Sequence, residues 1–197
     1  MPSLILASAS PRRRELLGLI GLVPKAIVAA DVDETPAKGE HPAAYTARVA
    51  LAKAVAVAAA HPEDVVLAAD TVVARGRRIL PKADDEATAR RCLALLSGAR
   101  HRVHTALVVI PPGAPPRRRL VTTRVAFKRL SDRDVSRYLA SGEWRGKAGG
   151  YAIQGLAGAF VRDLRGSYAA VVGLPLFETW QLLDGLDVPW QAPNPEP

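Results

Sequence analysis

Two β-branched runs, "HRVHTALVVI" (101–110) and "LVTTRVAFKRL" (120–130), flank the loop "PPGAPPRRR". The first alternates between side chains of opposite character, and the prolines and glycine between the runs break any regular element. The pair reads as one long antiparallel hairpin. Elsewhere short strand-like runs and helical stretches mix without strict alternation. This specifies an α/β chain with a mixed sheet rather than a regular doubly wound one.

The remaining elements follow from local signals. "SLILAS" (3–8) is a short buried strand. Ser10 is placed to cap a helix with Pro11 at its first position. Leu16, Leu17, Leu19 and Ile20 give that helix an apolar face, and Gly21 and Pro24 end it. "KAIVAA" is a second strand and "DVDETPAKGEHP" a loop. Pro42 to Ala60 is an alanine-rich helix. "DVVLAAD" is a strand that ends at Asp70, and "TVVARGRRIL" is the next strand, turning at Arg75-Gly76. "DDEATARRCLALLSG" is a helix with acids at its start and glycine past its end. "SDRDVSRYLASG" carries a capping box, Ser131 with Asp134, and closes at Gly142. "PLFETWQLLDGL" is the last helix, and "DVPWQAPNPEP" is a frayed tail. Trp144 reads as a loop residue, Trp180 as helix core and Trp190 as tail.

Residues 142–173 hold eight of the fifteen glycines. That density means tight turns or close backbone approach to a ligand, or a loop-rich return of the chain. A chain of 197 residues suits one domain or two small lobes around one cleft. The expected layout is a single two-lobed domain over 1–187 with a tail over 188–197.

The formal charge of +8 favours anionic partners such as nucleotides, nucleic acid or acidic lipid. The basic residues are spread widely, and aromatics make up only 5%, which leaves few stacking platforms for nucleic acid. Cys92 is the only cysteine, so internal disulfides and cysteine zinc sites are excluded. Its helical neighbours make it a buried or half-buried thiol. No apolar run reaches the length of a membrane span, and the charges of "MPSLILASASPRRR" follow its apolar part, the reverse of a secretory signal. The expectation is a cytoplasmic protein. Neither GxGxxG after the first strand nor GxxxxGK[ST] is present.

The chemistry concentrates in a few places. "LASASPRRRELL" (6–17) sets two hydroxyls, free backbone N–H groups and arginines at one helix start, a geometry suited to anions. Arg12 and Arg13 can add planar donors to phosphate. Taken alone, the run also reads as a solvated turn, and Arg14 as solvated. Asp70 closes an apolar strand, where ligands of open α/β sheets gather. Asp31, Asp33 and Glu34 crowd "DVDETP", which is either a polar turn or a source of carboxylate for a hard divalent cation. Lys53 interrupts "VALAKAVAV", Lys82 follows "ILP" and Lys147 lies among glycines. Such lysines snorkel to solvent or meet phosphate in a cleft. A nucleoside triphosphate carries about four negative charges, and each close charge pair is worth ~4 kcal/mol at an effective dielectric near 20 before desolvation. Together these residues read as a cationic cleft with a small acidic centre.

From about residue 3 to 185 the chain resembles the Maf family of nucleoside triphosphate pyrophosphatases. "LASASPRRRELL", "DVDETP", the lysine of "ALAKA", "AADTVV", "SGARHRVHTAL", "KAGGYAIQGLAG" and "GSYAAVVGLPL" follow in the family's order. The resemblance implies the Maf/inosine-triphosphatase-like architecture, a long curved mixed sheet with two lobes and a deep cleft. It implies hydrolysis of a nucleoside triphosphate between the α and β phosphates, giving a monophosphate and pyrophosphate, with Mg²⁺ or Mn²⁺ assisting. Asp70 matches the family's general base, with Glu34 helping it bind metal. Ser8, Arg12, Arg13, Lys53 and Lys82 match its phosphate-binding and charge-neutralising positions. No stable nucleic-acid complex is expected, and a homodimer is.

Arg12, Thr71 and Gln154 resemble the members that prefer dTTP and UTP, whereas relatives that prefer 7-methyl-GTP carry tryptophan, glutamine and glutamate there. The Gln154 amide both donates and accepts, matching the O4 acceptor and N3–H donor of uracil or thymine. Two departures stand out. Pro81-Lys82-Ala83 replaces the family's Gly-Lys-Pro, and Ala99 replaces a common arginine. His101 and His104 read as structural. The competing readings are a 7-methyl-GTP-type pyrophosphatase and a non-enzymatic nucleotide- or nucleic-acid-binding regulator of cell division.

Overall fold

The computed structural model describes residues 1–192. Its elements are β1 (Leu4–Ala7), α1 (Pro11–Leu19), β2 (Ala26–Ile27), α2 (Pro42–Ala58), β3 (Val65–Arg75), β4 (Arg78–Leu80), β5 (Lys82–Ala83), α3 (Glu86–Leu96), β6 (Arg100–Ile110), β7 (Arg117–Phe127), α4 (Asp132–Ser141), β8 (Lys147–Ala148), β9 (Val161–Arg165), α5 (Tyr168–Val172) and α6 (Leu176–Leu183), with a 3₁₀ turn over Leu156–Phe160. The strand order is β2-β1-β3-β6-β7-β9, with β4 pairing β3 and a separate β5-β8 ribbon. β1 runs parallel to β2 and β3, whereas β4 and β9 pair antiparallel with β3 and β7. The class is therefore mixed α/β. No helix among the described residues is long and apolar enough to cross a membrane.

Two compact units emerge. Unit 1 comprises residues 1–70, 105–121 and the chain from Gly173 onward; unit 2 comprises 71–104 and 122–172. In unit 1, Ile5, Ala7, Val66, Ala68, Ala106 and Val108 pack on Ala50, Ala54 and Val57 of α2. The alanines of α2 allow close approach to the sheet without filling it with side chains. In unit 2, Val73, Val103, Val125 and Phe127 pack with α3 and α4 residues such as Leu93, Leu96, Tyr138 and Leu139. Cys92 is buried in that core. The Ser131–Asp134 capping box forms in both directions, and Gly142 takes the left-handed conformation (φ 71°) that ends α4.

Several expectations are corrected. The run through Asp70 is one eleven-residue strand, so Asp70 sits in its middle, not at its end. Thr71, Val72 and Val73 continue the β-branched run, and the buried charge of Asp70 is met by a side chain from α2. Ser10 occupies the N-cap of α1, but its side chain makes no capping bond. Within the glycine-rich segment, β9 and α5 form where only turns were read. Trp144 lies in the turn between α4 and β8, as expected of a loop residue, and is buried there, donating from its indole to the Leu139 carbonyl at 2.9 Å. Trp180, read as core, is about half exposed.

The expected frayed tail is anchored as far as Gln191. Trp190 Nε1 donates to the Ile20 carbonyl and the Gln191 amide to the Gly21 carbonyl, both at 2.9 Å. Gly21 (φ 72°) is required there, because a Cβ would collide with the Gln191 carbonyl. Residues 193–197 of that tail lie outside the described residues.

Candidate active site

The acidic centre is built by α2, β3 and the loop between β2 and α2. Lys53 Nζ lies 2.8 Å from Asp70 Oδ1 and 2.9 Å from Glu34 Oε1. Asp70 is 4% exposed and Lys53 8% exposed, so this ion pair is largely shielded from water. Lys53 does not snorkel out of the alanine helix; it turns inward because two carboxylates compensate its desolvation.

α1 supplies the second cation. Arg13 is buried, donating from Nε to the Gly173 carbonyl and from Nη1 to Ser8 Oγ, both at 2.9 Å. Burial lowers the guanidinium pKa from its usual value, and the charge of Asp70 opposes that shift. Arg13 stays a cation at neutral pH all the same. Ser8 Oγ also accepts from the Ser10 amide at 3.1 Å. With two donors already directed at its oxygen, the Ser8 hydroxyl keeps its own proton for an acceptor. The arginine expected to present a fork to phosphate is thus anchored to the protein through two of its donors. Arg12 is half-buried, with burial lowering its pKa, and Arg14 is exposed.

The loop carrying Glu34 is tied to α2 by two residues the sequence reading missed. Tyr45 Oη donates to the Glu34 carbonyl at 2.7 Å. Arg48 donates to the Thr35 carbonyl at 3.0 Å and holds Glu40 through two bonds of 2.8 Å. Burial first, then the charges of Asp70 and Glu34, push the Tyr45 phenol up to about 12, so it remains a donor. The signal was present: residues 45, 49 and 53 fall on one helical face, the face that carries Lys53. Asp31 and Asp33 are exposed, and Asp33 caps the Thr35 amide at 2.8 Å.

The structure thus brings Ser8, Arg13, Glu34, Lys53 and Asp70 together in unit 1. Thr71, Lys82 and Gln154 belong to unit 2. Thr71 is half-buried beside Asp70 in the chain. Lys82 is exposed and pairs through its backbone with Ala148. Gln154 is exposed on the turn after Tyr151. Among the described residues no cluster of three or more His, Cys, Asp or Glu forms. Glu34 and Asp70 nevertheless converge on one cation, Lys53. Two convergent carboxylates are a donor set that suits a hard divalent ion completing its shell with water and phosphate oxygen.

His101 and His104 are buried. His101 Nε2 lies 2.8 Å from Tyr151 Oη, and His104 Nδ1 lies 3.0 Å from Thr122 Oγ1. Both sit among strand neighbours, as structural histidines do.

Residues 3–186 match the model of the family described as Maf-like protein. The chain belongs to the Maf family. Among curated Maf relatives, the dTTP/UTP pyrophosphatase of Paramagnetospirillum magneticum is 63% identical over 185 residues, 94% of this chain and 97% of its own length. That of Rhodospirillum rubrum is 64% identical over 182 residues, 92% and 87% of the two chains. That of Caulobacter vibrioides is 58% identical over 185 residues, 94% and 96%.

Proposed function

We propose that this Maf protein is a cytoplasmic nucleoside triphosphate pyrophosphatase acting on dTTP and UTP. It cleaves between the α and β phosphates to yield a monophosphate and pyrophosphate. The observation that carries the reading is the quartet of buried Arg13, Lys53 and Asp70 with half-buried Glu34, whose formal charges cancel. A carboxylate held at the centre of such a set is positioned for proton transfer, and the cations beside it suit an entering polyphosphate. The names of relatives at 58–64% identity over nearly the whole chain support the same chemistry.

In this mechanism Asp70 accepts the proton of the attacking water. Lys53 orients Asp70 through its 2.8 Å contact. Ser8 donates its hydroxyl proton to a phosphate oxygen, while Arg13 fixes that hydroxyl and adds positive charge where the leaving pyrophosphate develops negative charge. A divalent Mg²⁺ or Mn²⁺, held by Glu34 and Asp70, would supply charge neutralisation for the phosphates. The neutral quartet needs it, because a tetra-anionic substrate adds far more negative charge than the site can compensate. Arg12, Lys82, Thr71 and Gln154 complete the substrate contacts, with the Gln154 amide reading the pyrimidine edge.

The test is a panel of nucleoside triphosphates with Mg²⁺, assayed separately for pyrophosphate and for orthophosphate. Pyrophosphate from dTTP and UTP is the expected result. Orthophosphate alone would indicate cleavage at the γ position, and no release from any triphosphate would favour a binding protein without turnover.

A further inference from the structure

Arg124 of β7 stands directly opposite Arg165 of β9, and Ala126 stands opposite Asp163. Facing residues of paired strands project to one side, so all four share a face of the sheet. The opposite face is core: Val125 and Phe127 are buried there, as are His101 and Val103 of β6. The strand alternation of β6 therefore puts Arg100 and Arg102, both exposed, on the outward face. Like charges set directly opposite each other in a sheet are destabilising.

Little within the chain offsets them. Arg165 Nε meets Asp163 Oδ2 at 3.3 Å, with 75% and 42% of the two side chains exposed, an open pair of small worth. Among the described residues no ion pair or side-chain hydrogen bond engages Arg100, Arg102 or Arg124. Arg100, Arg124, Arg165 and Asp163 line a pocket of about 280 Å³ together with Val125 and Ala126. Three guanidiniums against one carboxylate leave two positive charges uncompensated.

We propose that this pocket in unit 2 is an anion site that takes a diphosphate group. A monoanion would leave the lining charged. At about 280 Å³ the pocket is large enough to admit a diphosphate group. Arginines contributed by three strands, β6, β7 and β9, carry the planar, paired donors that phosphoryl oxygens accept. No lining residue is aromatic, so nothing stacks a base, and recognition rests on the phosphates. The group is that of free pyrophosphate or of a nucleoside diphosphate. The site does not depend on the proposed hydrolysis: it would bind added pyrophosphate even if the protein released none from dTTP or UTP.

The test is calorimetric titration of the full-length protein with inorganic pyrophosphate and, separately, UDP, in EDTA at low salt. Wild type is compared with Arg124→Gln/Arg165→Gln and with Asp163→Asn. The double variant should lose affinity by roughly tenfold or more, as expected for losing charge-assisted bonds, while Asp163→Asn should gain about threefold or more. The same responses with both ligands establish the diphosphate group as the recognised element, and responses with one alone identify its source. Unchanged isotherms in the variants overturn the proposal, as does sulfate or chloride binding as tightly as pyrophosphate. If circular dichroism shows the double variant unfolded, Asp163→Asn decides, and absence of a gain in affinity refutes the site.

Discussion

Replacing Asp70 by asparagine separates the structural and chemical roles of the acidic centre. Asparagine keeps the size and an acceptor oxygen for Lys53 but removes the charge. At 2.8 Å and an effective dielectric near 20, the attraction lost is about 6 kcal/mol before desolvation. Desolvation cancels much of that, and Glu34 remains 2.9 Å from the ammonium. Lys53 is therefore not orphaned, and the folding cost should be ~1–3 kcal/mol rather than the ~3–5 kcal/mol of a wholly uncompensated buried charge. For a chain of this size that corresponds to a melting temperature lower by roughly 3–10 °C. Turnover should fall by about 10²–10⁴, the contribution of a positioned general base. Nucleotide affinity should hold or rise, because one negative charge has left the phosphate site. Pyrophosphate release, equilibrium binding of UTP and thermal unfolding measure the three quantities on one preparation. A variant that keeps turnover within threefold of wild type would refute the assignment of Asp70 as the base. Equal loss of turnover and binding would show instead that the residue only shapes the pocket.

Other expectations are narrower. Gln154→Glu should lower kcat/KM for UTP and dTTP selectively, because a carboxylate cannot donate to the O4 acceptor; equal activity of both proteins across the nucleotide panel would contradict the base-reading role. Burial depresses His101 to about 4, so the folded state resists protonation that the unfolded state accepts near 6.5. Its stabilisation is complete above the unfolded value and is lost as pH falls from about 6.5 to about 4, by roughly 3 kcal/mol. His101→Gln should flatten that stretch of the melting-temperature profile, and an unaltered slope would argue against it. Gly149→Ala should destabilise by ~1–3 kcal/mol in denaturant titration, since φ is +66° and the added Cβ would lie 2.8 Å from Val73 Cγ1. A neutral result would mean that Val73 and the turn readjust together.

The elements with local signals were legible. The hairpin, the alanine-rich α2 and the Ser131 capping box are specified by residues within a few positions of one another. The long range was not. Asp70 reads as a strand end because an acid interrupts an apolar run; only Lys53, seventeen positions earlier, makes it tolerable inside β3. Arg13 sits in a run of three arginines that composition cannot tell apart, and its inward turn depends on Gly173. β9 leaves little sequence signal because "VRDLR" does not alternate and has a single β-branched residue, and the glycines around it, six of eight of which take positive φ, read as turns. Trp180 reads as core because membership of a helix does not say which of its faces is covered.

The interleaving of the two units bears on synthesis. A nascent chain carries Lys53 and Asp70 long before residue 173, yet the carbonyl that anchors Arg13 arrives only after all of unit 2 has been made. The Trp190 and Gln191 clasp on the first helix comes later still. Until residue 173 has been made, Arg13 keeps its bond to Ser8 but lacks its backbone anchor, so the pocket around the aspartate is incomplete. Chains that stall short of Gly173 would expose an unfinished core to quality control and would have no chance of acting on the nucleotide pool.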